Sequence, residues 1–217
     1  MPRESEPGKA KRGGVSRRSF IQTLGLSAAT SALADKALAA SRVGAEEDGP
    51  EILGPGPVEL ALRINGKVLK ATVEPGATLL EVLRHNLGLT GSKEICDRGA
   101  CGGCSVIVDG KLVTACMMLA VDAVGSDVVT VEGLEHDGKL DPVQVAYIKH
   151  DALQCGYCTP GLIMATKWML SEVPSPTLAQ VKKYLAGNIC RCGTYSNVFN
   201  AALEASGQRP VIDGRGA

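Results

Sequence analysis

Cys96-Asp97-Arg98-Gly99-Ala100-Cys101-Gly102-Gly103-Cys104 sets three cysteines in a C-x4-C-x2-C run, and a fourth, Cys116, follows after eleven intervening residues. This is the ligand spacing of a plant-type [2Fe-2S] cluster. The loop also has the composition such a group needs, because glycine takes positive φ without strain and lets backbone N–H groups come close to sulfur. Amides aimed at the sulfurs help to set the reduction potential. Cys96, Cys101, Cys104 and Cys116 are therefore the first expected ligand set.

Four more cysteines complete the total of eight: the C-x2-C pair Cys155 and Cys158, and the C-x-C pair Cys190 and Cys192. A disulfide between Cys190 and Cys192 would be strained, since residues two apart rarely meet disulfide geometry. Two thiolates on one iron fit that spacing more easily. An even cysteine count in an exported chain often means disulfides, but these spacings suit clusters better. Zinc also accepts four thiolates and a C-x2-C pair; the C-x4-C-x2-C run argues against it in the first set, and the second set by its spacing alone leaves it open. A Rieske centre requires two histidine ligands, and His85, His136 and His150 stand in no cysteine-paired motif.

Around the first set the pattern is that of strands. Val58, Leu60, Leu62 and Ile64 alternate with other residues up to Asn65-Gly66, the preferred two-residue hairpin turn, and Lys67 to Val73 returns. Thr78-Leu79-Leu80-Glu81 is a capping box that opens a helix, with Gly88 as its stop. After the cysteine loop come Ser105 to Val108, the turn Asp109-Gly110, Lys111 to Thr114, and a last strand over Val128 to Val131. Hairpin, helix, cluster loop, hairpin is the order of a β-grasp ferredoxin. A unit this small has a thin core, so its cluster is expected to support folding as well as function.

Beyond Gly138 the signals are helical. Asp141-Pro142 and Thr159-Pro160 each read as an N-cap followed by an N1 proline, Thr177-Leu178-Ala179-Gln180 is a further capping box closed by Gly187, and Ser196 is placed to cap a last helix to about Ala205. Four helices result, with Cys155 and Cys158 between the first two and Cys190 and Cys192 between the last two. The expected fold class is α+β: a β-grasp, ferredoxin-like [2Fe-2S] domain over 58–134, then an all-α four-helix-bundle [2Fe-2S] domain over 138–206 and a tail over 207–217. Trp168, Met117 and Met118 read as core or interface filler.

The first 40 residues differ in kind. Lys9, Lys11, Arg12, Arg17 and Arg18 form a basic stretch without acids ahead of the apolar run Phe20–Ala34, which is the layout of a signal peptide. Ser16-Arg17-Arg18-Ser19-Phe20-Ile21 resembles the twin-arginine export motif, an address for the export machinery rather than an anchor. Ala37-Leu38-Ala39 suits the cleavage rule, as does Ala32-Leu33-Ala34. The apolar run is fifteen residues long, short of the roughly 20 a membrane span requires, so no span is expected in the mature chain. Residues 41–57, rich in acid, glycine and proline, read as a flexible linker. The whole chain balances 23 basic against 23 acidic side chains, and aromatics are only 3% of it. No basic stripe or base-stacking platform for nucleic acid emerges.

Cys96 to Cys104, Gln154-Cys155-Gly156-Tyr157-Cys158-Thr159-Pro160-Gly161 and Gly187-Asn188-Ile189-Cys190-Arg191-Cys192 together resemble the iron–sulfur subunits of the xanthine dehydrogenase and aldehyde oxidoreductase family of molybdenum hydroxylases, over essentially all of 58–205. With its leader and Lys149-His150-Asp151, the chain looks most like the subunit of a periplasmic aldehyde oxidoreductase. Cys192-Gly193-Thr194-Tyr195 departs from the family's usual threonine-glycine-tyrosine order, and in this the chain is similar to the subunits of isoquinoline oxidoreductases. The resemblance implies a large partner subunit that holds a molybdopterin cytosine dinucleotide and oxidises the substrate. It implies an onward acceptor on a FAD-binding subunit or a haem carrier of the cytochrome kind. It also implies that Gln154 and Cys192 approach the pterin, and that no residue of this chain is catalytic. Composition points the same way: no G-x-G-x-x-G follows a strand, so no nucleotide site of that type is expected.

Overall fold

The computed structural model of the chain describes residues 53–211. The expected signal sequence, most of the expected linker and the end of the tail lie outside the described residues. Two strands, β1 (Val58–Ile64) and β2 (Lys67–Val73), form an antiparallel hairpin in full register, Val58 facing Val73 and Ile64 facing Lys67. Its turn is made by Asn65 at φ 52 and Gly66 at φ 75, the pair of positive dihedrals that suits the twist of a two-residue hairpin. A second hairpin, β3 (Ser105–Val108) and β4 (Lys111–Thr114), repeats the device with Asp109 at φ 46 and Gly110 at φ 76. With β5 (Asp127–Val129) they make a five-stranded sheet in the order β2-β1-β5-β3-β4, in which β5 runs parallel to β1 and antiparallel to β3. This is the β-grasp arrangement expected from the order of elements.

The last strand is shorter than the expected Val128 to Val131. Asn65 accepts the Thr130 N–H at 2.9 Å and donates its side-chain amide to the Thr130 hydroxyl at 3.0 Å. Thr130 is thereby bonded to the hairpin turn, and Val131 enters a 3-10 turn over Val131–Leu134. The Thr78 capping box is present and opens α1 (Leu79–Glu81), which runs on as a π-helical turn over Val82–Asn86 before Gly88 at φ 69 ends it.

Four helices follow: α2 (Pro142–Lys149), α3 (Thr159–Glu172), α4 (Leu178–Tyr184) and α5 (Tyr195–Ala205). Asp141 caps α2 as expected, and its buried carboxylate also pairs with Lys167 of α3 at 2.5 Å. The Thr177 capping box opens α4. Two expected caps move. The Leu162 N–H bonds the Cys158 carbonyl at 3.0 Å, which makes Cys158 the N-cap of α3 and Thr159 its first residue. Likewise the Val198 N–H bonds the Thr194 carbonyl at 3.0 Å, so Thr194 is the N-cap of α5 and Ser196 lies inside the first turn. At its far end α5 stops near Ala205 in a Schellman motif: Gln208 N–H bonds Leu203 and Gly207 N–H bonds Glu204, with Gly207 at φ 77.

Two cores form, and β3 belongs to both. Val106 and Val108 face the core that Leu62, Ile64, Leu79 and Leu83 share. Ile107, between them, packs with Leu112 and Val129 against the helical core of Tyr147, Leu162, Met164 and Met169. Strand alternation puts successive side chains on opposite faces, so one strand serves both. Tyr147 is fully buried, its phenol bonded to the Thr166 hydroxyl at 2.8 Å, and Thr166 in turn donates to the Leu162 carbonyl. Burial pushes that phenol's pKa up despite the Thr166 bond, so it stays neutral. Tyr147→Phe should lower the stability of the cluster-loaded protein by about 1 kcal/mol, the usual net worth of one buried neutral hydrogen bond. The readout is a fall in the urea midpoint; an unchanged midpoint would show that the bond contributes nothing.

Candidate metal centres

The first cysteine loop turns three times through the left-handed region, at Asp97 (φ 49), Gly99 (φ 70) and Gly102 (φ 68). Each reversal points backbone N–H groups inward. The Gly99 N–H reaches the Cys116 sulfur at 3.3 Å. Cys96 is brought down to about 7, first by the Arg98 N–H, then by the Cys101 thiol and the N–H groups of Ala100 and Cys101. Burial is the main influence on the other two loop thiols: it raises Cys101, against the Gly103 N–H, and pushes Cys104 up to about 12, against the Cys116 N–H. Cys116 arrives from a 3-10 turn over Ala115–Met117 that follows β4. Cys96 bonds Cys101 and Cys104 bonds Cys116, and the charge of Cys101 is felt at Cys104.

The second set assembles at the start of two helices. Cys155 is exposed, and Gly156 at φ 80 turns the chain so that Cys158 is buried at the head of α3. Burial, then the Cys190 thiol and the charges of Cys190 and Cys155, push Cys158 up to about 12. Burial also works against the charged form of Cys190, yet the Thr194 hydroxyl at 3.2 Å, the N–H groups of Thr194 and Gly193, and the Cys158 thiol bring it down to about 7. The structure thus brings Cys158 and Cys190 together, and the charge of Cys155 is felt at Cys158. Cys192 lies two residues further along the Cys190 loop and is exposed, as is Gln154 beside Cys155.

All eight cysteines carry free thiols. No three of the His, Cys, Asp and Glu side chains among the described residues crowd closely enough to hold one metal ion. The thiols pair instead, Cys96 with Cys101, Cys104 with Cys116 and Cys158 with Cys190. Pairs are what two irons sharing four thiolates require. Thiols raised to about 12 keep their protons near neutral pH, a bound cation takes the proton's place on sulfur, and the N–H groups aimed at sulfur supply the hydrogen bonds such thiolates accept. The first set shows two thiol pairs and the second set shows one, Cys158 with Cys190, and the thiol chemistry of each set fits an iron–sulfur group.

The two centres meet across a short seam. The Ile189 N–H, next to Cys190, bonds the Cys101 carbonyl at 2.9 Å. The buried Asn188 amide donates to the Gly102 carbonyl at 2.8 Å, which also accepts from the Ser105 hydroxyl at 2.8 Å. The Tyr195 hydroxyl accepts the Cys190 N–H at 2.8 Å and donates to the Asn188 carbonyl at 3.4 Å. Gly161, in the first turn of α3, lies so close that a β-carbon there would stand 2.2 Å from the Gly102 oxygen. None of Asn188, Gly161, Thr194 and Tyr195 was among the expected site residues. Asn188 and Gly161 did stand inside the cysteine motifs, and that nearness was the available signal. Met117 is 65% exposed over Gly99, so it is not core, whereas Met118 packs against the sheet core and Trp168 lies 5.6 Å from the Tyr184 ring.

Comparison with known proteins agrees. A family model described as a 2Fe-2S iron-sulfur cluster binding domain matches residues 62–125, and one described as a [2Fe-2S] binding domain matches residues 130–203. The aldehyde oxidoreductase iron-sulfur-binding subunit PaoA of Escherichia coli K12 is 38% identical over 209 residues, 89% of each chain. The chain belongs to the family of iron–sulfur subunits of aldehyde oxidoreductases and xanthine dehydrogenases. Its family makes it an electron-transfer component of an oxidoreductase, with a [2Fe-2S] domain of each kind. The nicotine 6-hydroxylase small subunit of Paenarthrobacter nicotinovorans is 42% identical over 70% of this chain and 91% of its own. Among solved structures, quinoline 2-oxidoreductase of Pseudomonas putida 86 superposes with a TM-score of 0.66 at 38% identity, over 71% of this chain and 99% of that one. Aldehyde oxidoreductase of Desulfovibrio gigas gives 0.65 at 37% identity, over 69% of this chain and 17% of that much longer one.

The seam yields a test. Gly161→Ala forces a methyl group against the Gly102 carbonyl and should cost about 1–3 kcal/mol of stability, as overpacking does. It should also weaken the magnetic interaction between the two reduced centres seen by electron paramagnetic resonance. A thermal midpoint equal to wild type would show that the seam yields without strain.

Proposed function

We propose that this chain is the electron-transfer subunit of an exported molybdenum hydroxylase of the aldehyde oxidoreductase type. Cys96, Cys101, Cys104 and Cys116 hold one [2Fe-2S] group, and Cys155, Cys158, Cys190 and Cys192 hold the other. When bound, each group supplies a one-electron relay between a two-electron donor and the next acceptor. The observation that carries the reading is the Ile189 N–H to Cys101 carbonyl hydrogen bond of 2.9 Å. It joins a ligand of one set to the neighbour of a ligand of the other with no side chain in between.

The rest of the chain supplies two open ends to that path. Cys155 and Cys192 are exposed, with exposed Leu153, Tyr157 and Ile189 near them in sequence. This end faces a large subunit that carries molybdopterin cytosine dinucleotide and oxidises the substrate, with Gln154 and Cys192 nearest the pterin. Half-buried Cys96 and Cys101, near exposed Ile95 and Met117, make the exit toward a FAD-binding subunit or a haem carrier. The aldehyde type is favoured over an N-heterocycle type because the match to the aldehyde oxidoreductase subunit spans 89% of both chains, against 70% of this chain for the nicotine hydroxylase subunit. The twin-arginine-like leader directs the folded, loaded chain to the periplasm.

The test is made on the natively expressed complex. Gel filtration should show the chain travelling with a molybdenum-containing subunit, with about four irons per copy, as two [2Fe-2S] groups require. Elution near its own 22.5 kDa would overturn the proposal. In Cys192→Ser, the paramagnetic signal of the helical centre should be lost and that of the β-grasp centre kept. Loss of both signals together would mean that the two sites are not independent.

A further inference from the structure

We infer that Thr194 is a potential-setting residue: its hydroxyl donates a hydrogen bond to the Cys190 sulfur and thereby raises the reduction potential of the helical-domain centre. The inference rests on the reading of Cys155, Cys158, Cys190 and Cys192 as ligands of a [2Fe-2S] group, and extends it.

The geometry is unusual for a helix cap. A threonine at the N-cap ordinarily turns its hydroxyl oxygen toward the backbone N–H of the second or third helical residue. The side-chain caps among the described residues do so: Thr78 accepts from the Glu81 N–H, Asp141 from Val143 and Thr177 from Gln180. Those three have ψ of 154, 146 and 159. Thr194 has ψ 19, makes no side-chain cap bond, and sets its hydroxyl 3.2 Å from the Cys190 sulfur. The cap bond is forgone and the hydroxyl is given to sulfur.

Position and surroundings reinforce this. Thr194 is only 5% exposed, so water offers the hydroxyl little alternative. A metal-bound thiolate has no proton, which leaves the hydroxyl as the donor. Gly193 at φ 82 makes the reversal that brings Thr194 back onto Cys190. Exchanging the two residues would put a β-branched side chain in the left-handed region and take the hydroxyl away from the cap. Tyr195 holds the Cys190 N–H from the next position, so sulfur and hydroxyl are both fixed.

The consequence is electrostatic. Reduction adds one electron to the centre, and the positive end of an O–H dipole at a ligand sulfur stabilises the more negative, reduced form. Cys190 is also the ligand next to Ile189, on the side of the seam. The hydroxyl therefore acts where the electron moves on toward Cys101.

A redox titration of the complex followed by electron paramagnetic resonance tests this. Thr194→Val should lower the midpoint of the helical-centre signal by an amount equal to about a tenfold change in its reduction equilibrium, about 59 mV for one electron. The β-grasp signal should keep its wild-type midpoint. Thr194→Ser should stay near wild type, and Thr194→Ala should fall below Thr194→Ser, a pair that differs by one hydroxyl and serves if valine does not fit. Two intact signals with the helical midpoint equal in the alanine and serine variants would overturn the inference alone. A wild-type complex with a single [2Fe-2S] signal would overturn the underlying reading and the inference with it.

Discussion

The structure depends on a contact between two stretches of bare backbone. Gly161 in the first turn of α3 lies so close to Gly102 in the cysteine loop that a β-carbon there would stand 2.2 Å from the Gly102 oxygen, and Gly102 in turn has no room because a β-carbon on it would lie 2.6 Å from the Asn188 amide and 2.7 Å from the Gly187 oxygen. Dispersion is only a small part of what this closeness brings. It allows Asn188 and Ile189 to bond the carbonyls of Gly102 and Cys101, so that the path between the two cysteine sets is a backbone hydrogen bond rather than a gap. Efficient transfer needs the centres close, and here the closeness is set by the missing side chains of two residues.

The sulfurs impose a second constraint. Thiols gathered in a poorly solvated place repel one another once ionised, and burial, with the neighbouring thiols adding to it, pushes Cys104 and Cys158 far above the ordinary thiol range. Each set also includes a thiol pulled the other way, Cys96 by the Arg98 N–H and Cys190 by Thr194 and Gly193. Loop reversals at glycine and at Asp97 make those donors available. The two sets solve the same problem differently, backbone amides serving the first and a side-chain hydroxyl joining them in the second.

Local chemistry was the legible part of this chain. Both hairpins fell at their expected residues, because Asn65-Gly66 and Asp109-Gly110 demand the dihedrals they adopt, and the caps at Thr78, Asp141 and Thr177 formed because each is satisfied within its own turn. The expectations that moved were those decided from a distance or by a competing partner. Asn65 ends β5 from 65 residues away. The head of α3 moved back to Cys158 and that of α5 to Thr194, each beside the second cysteine set. Cysteine spacing drew attention to all eight thiols, whereas Asn188 meets Gly102 across 86 residues, a contact that no local pattern can announce.

Strand β3 has a further implication. Since Val106 and Val108 serve one core and Ile107 the other, the halves are not interchangeable cassettes. Cutting the chain after β5 would bare Ile107, Leu112 and Val129 on the sheet's outer face, an invitation to self-association.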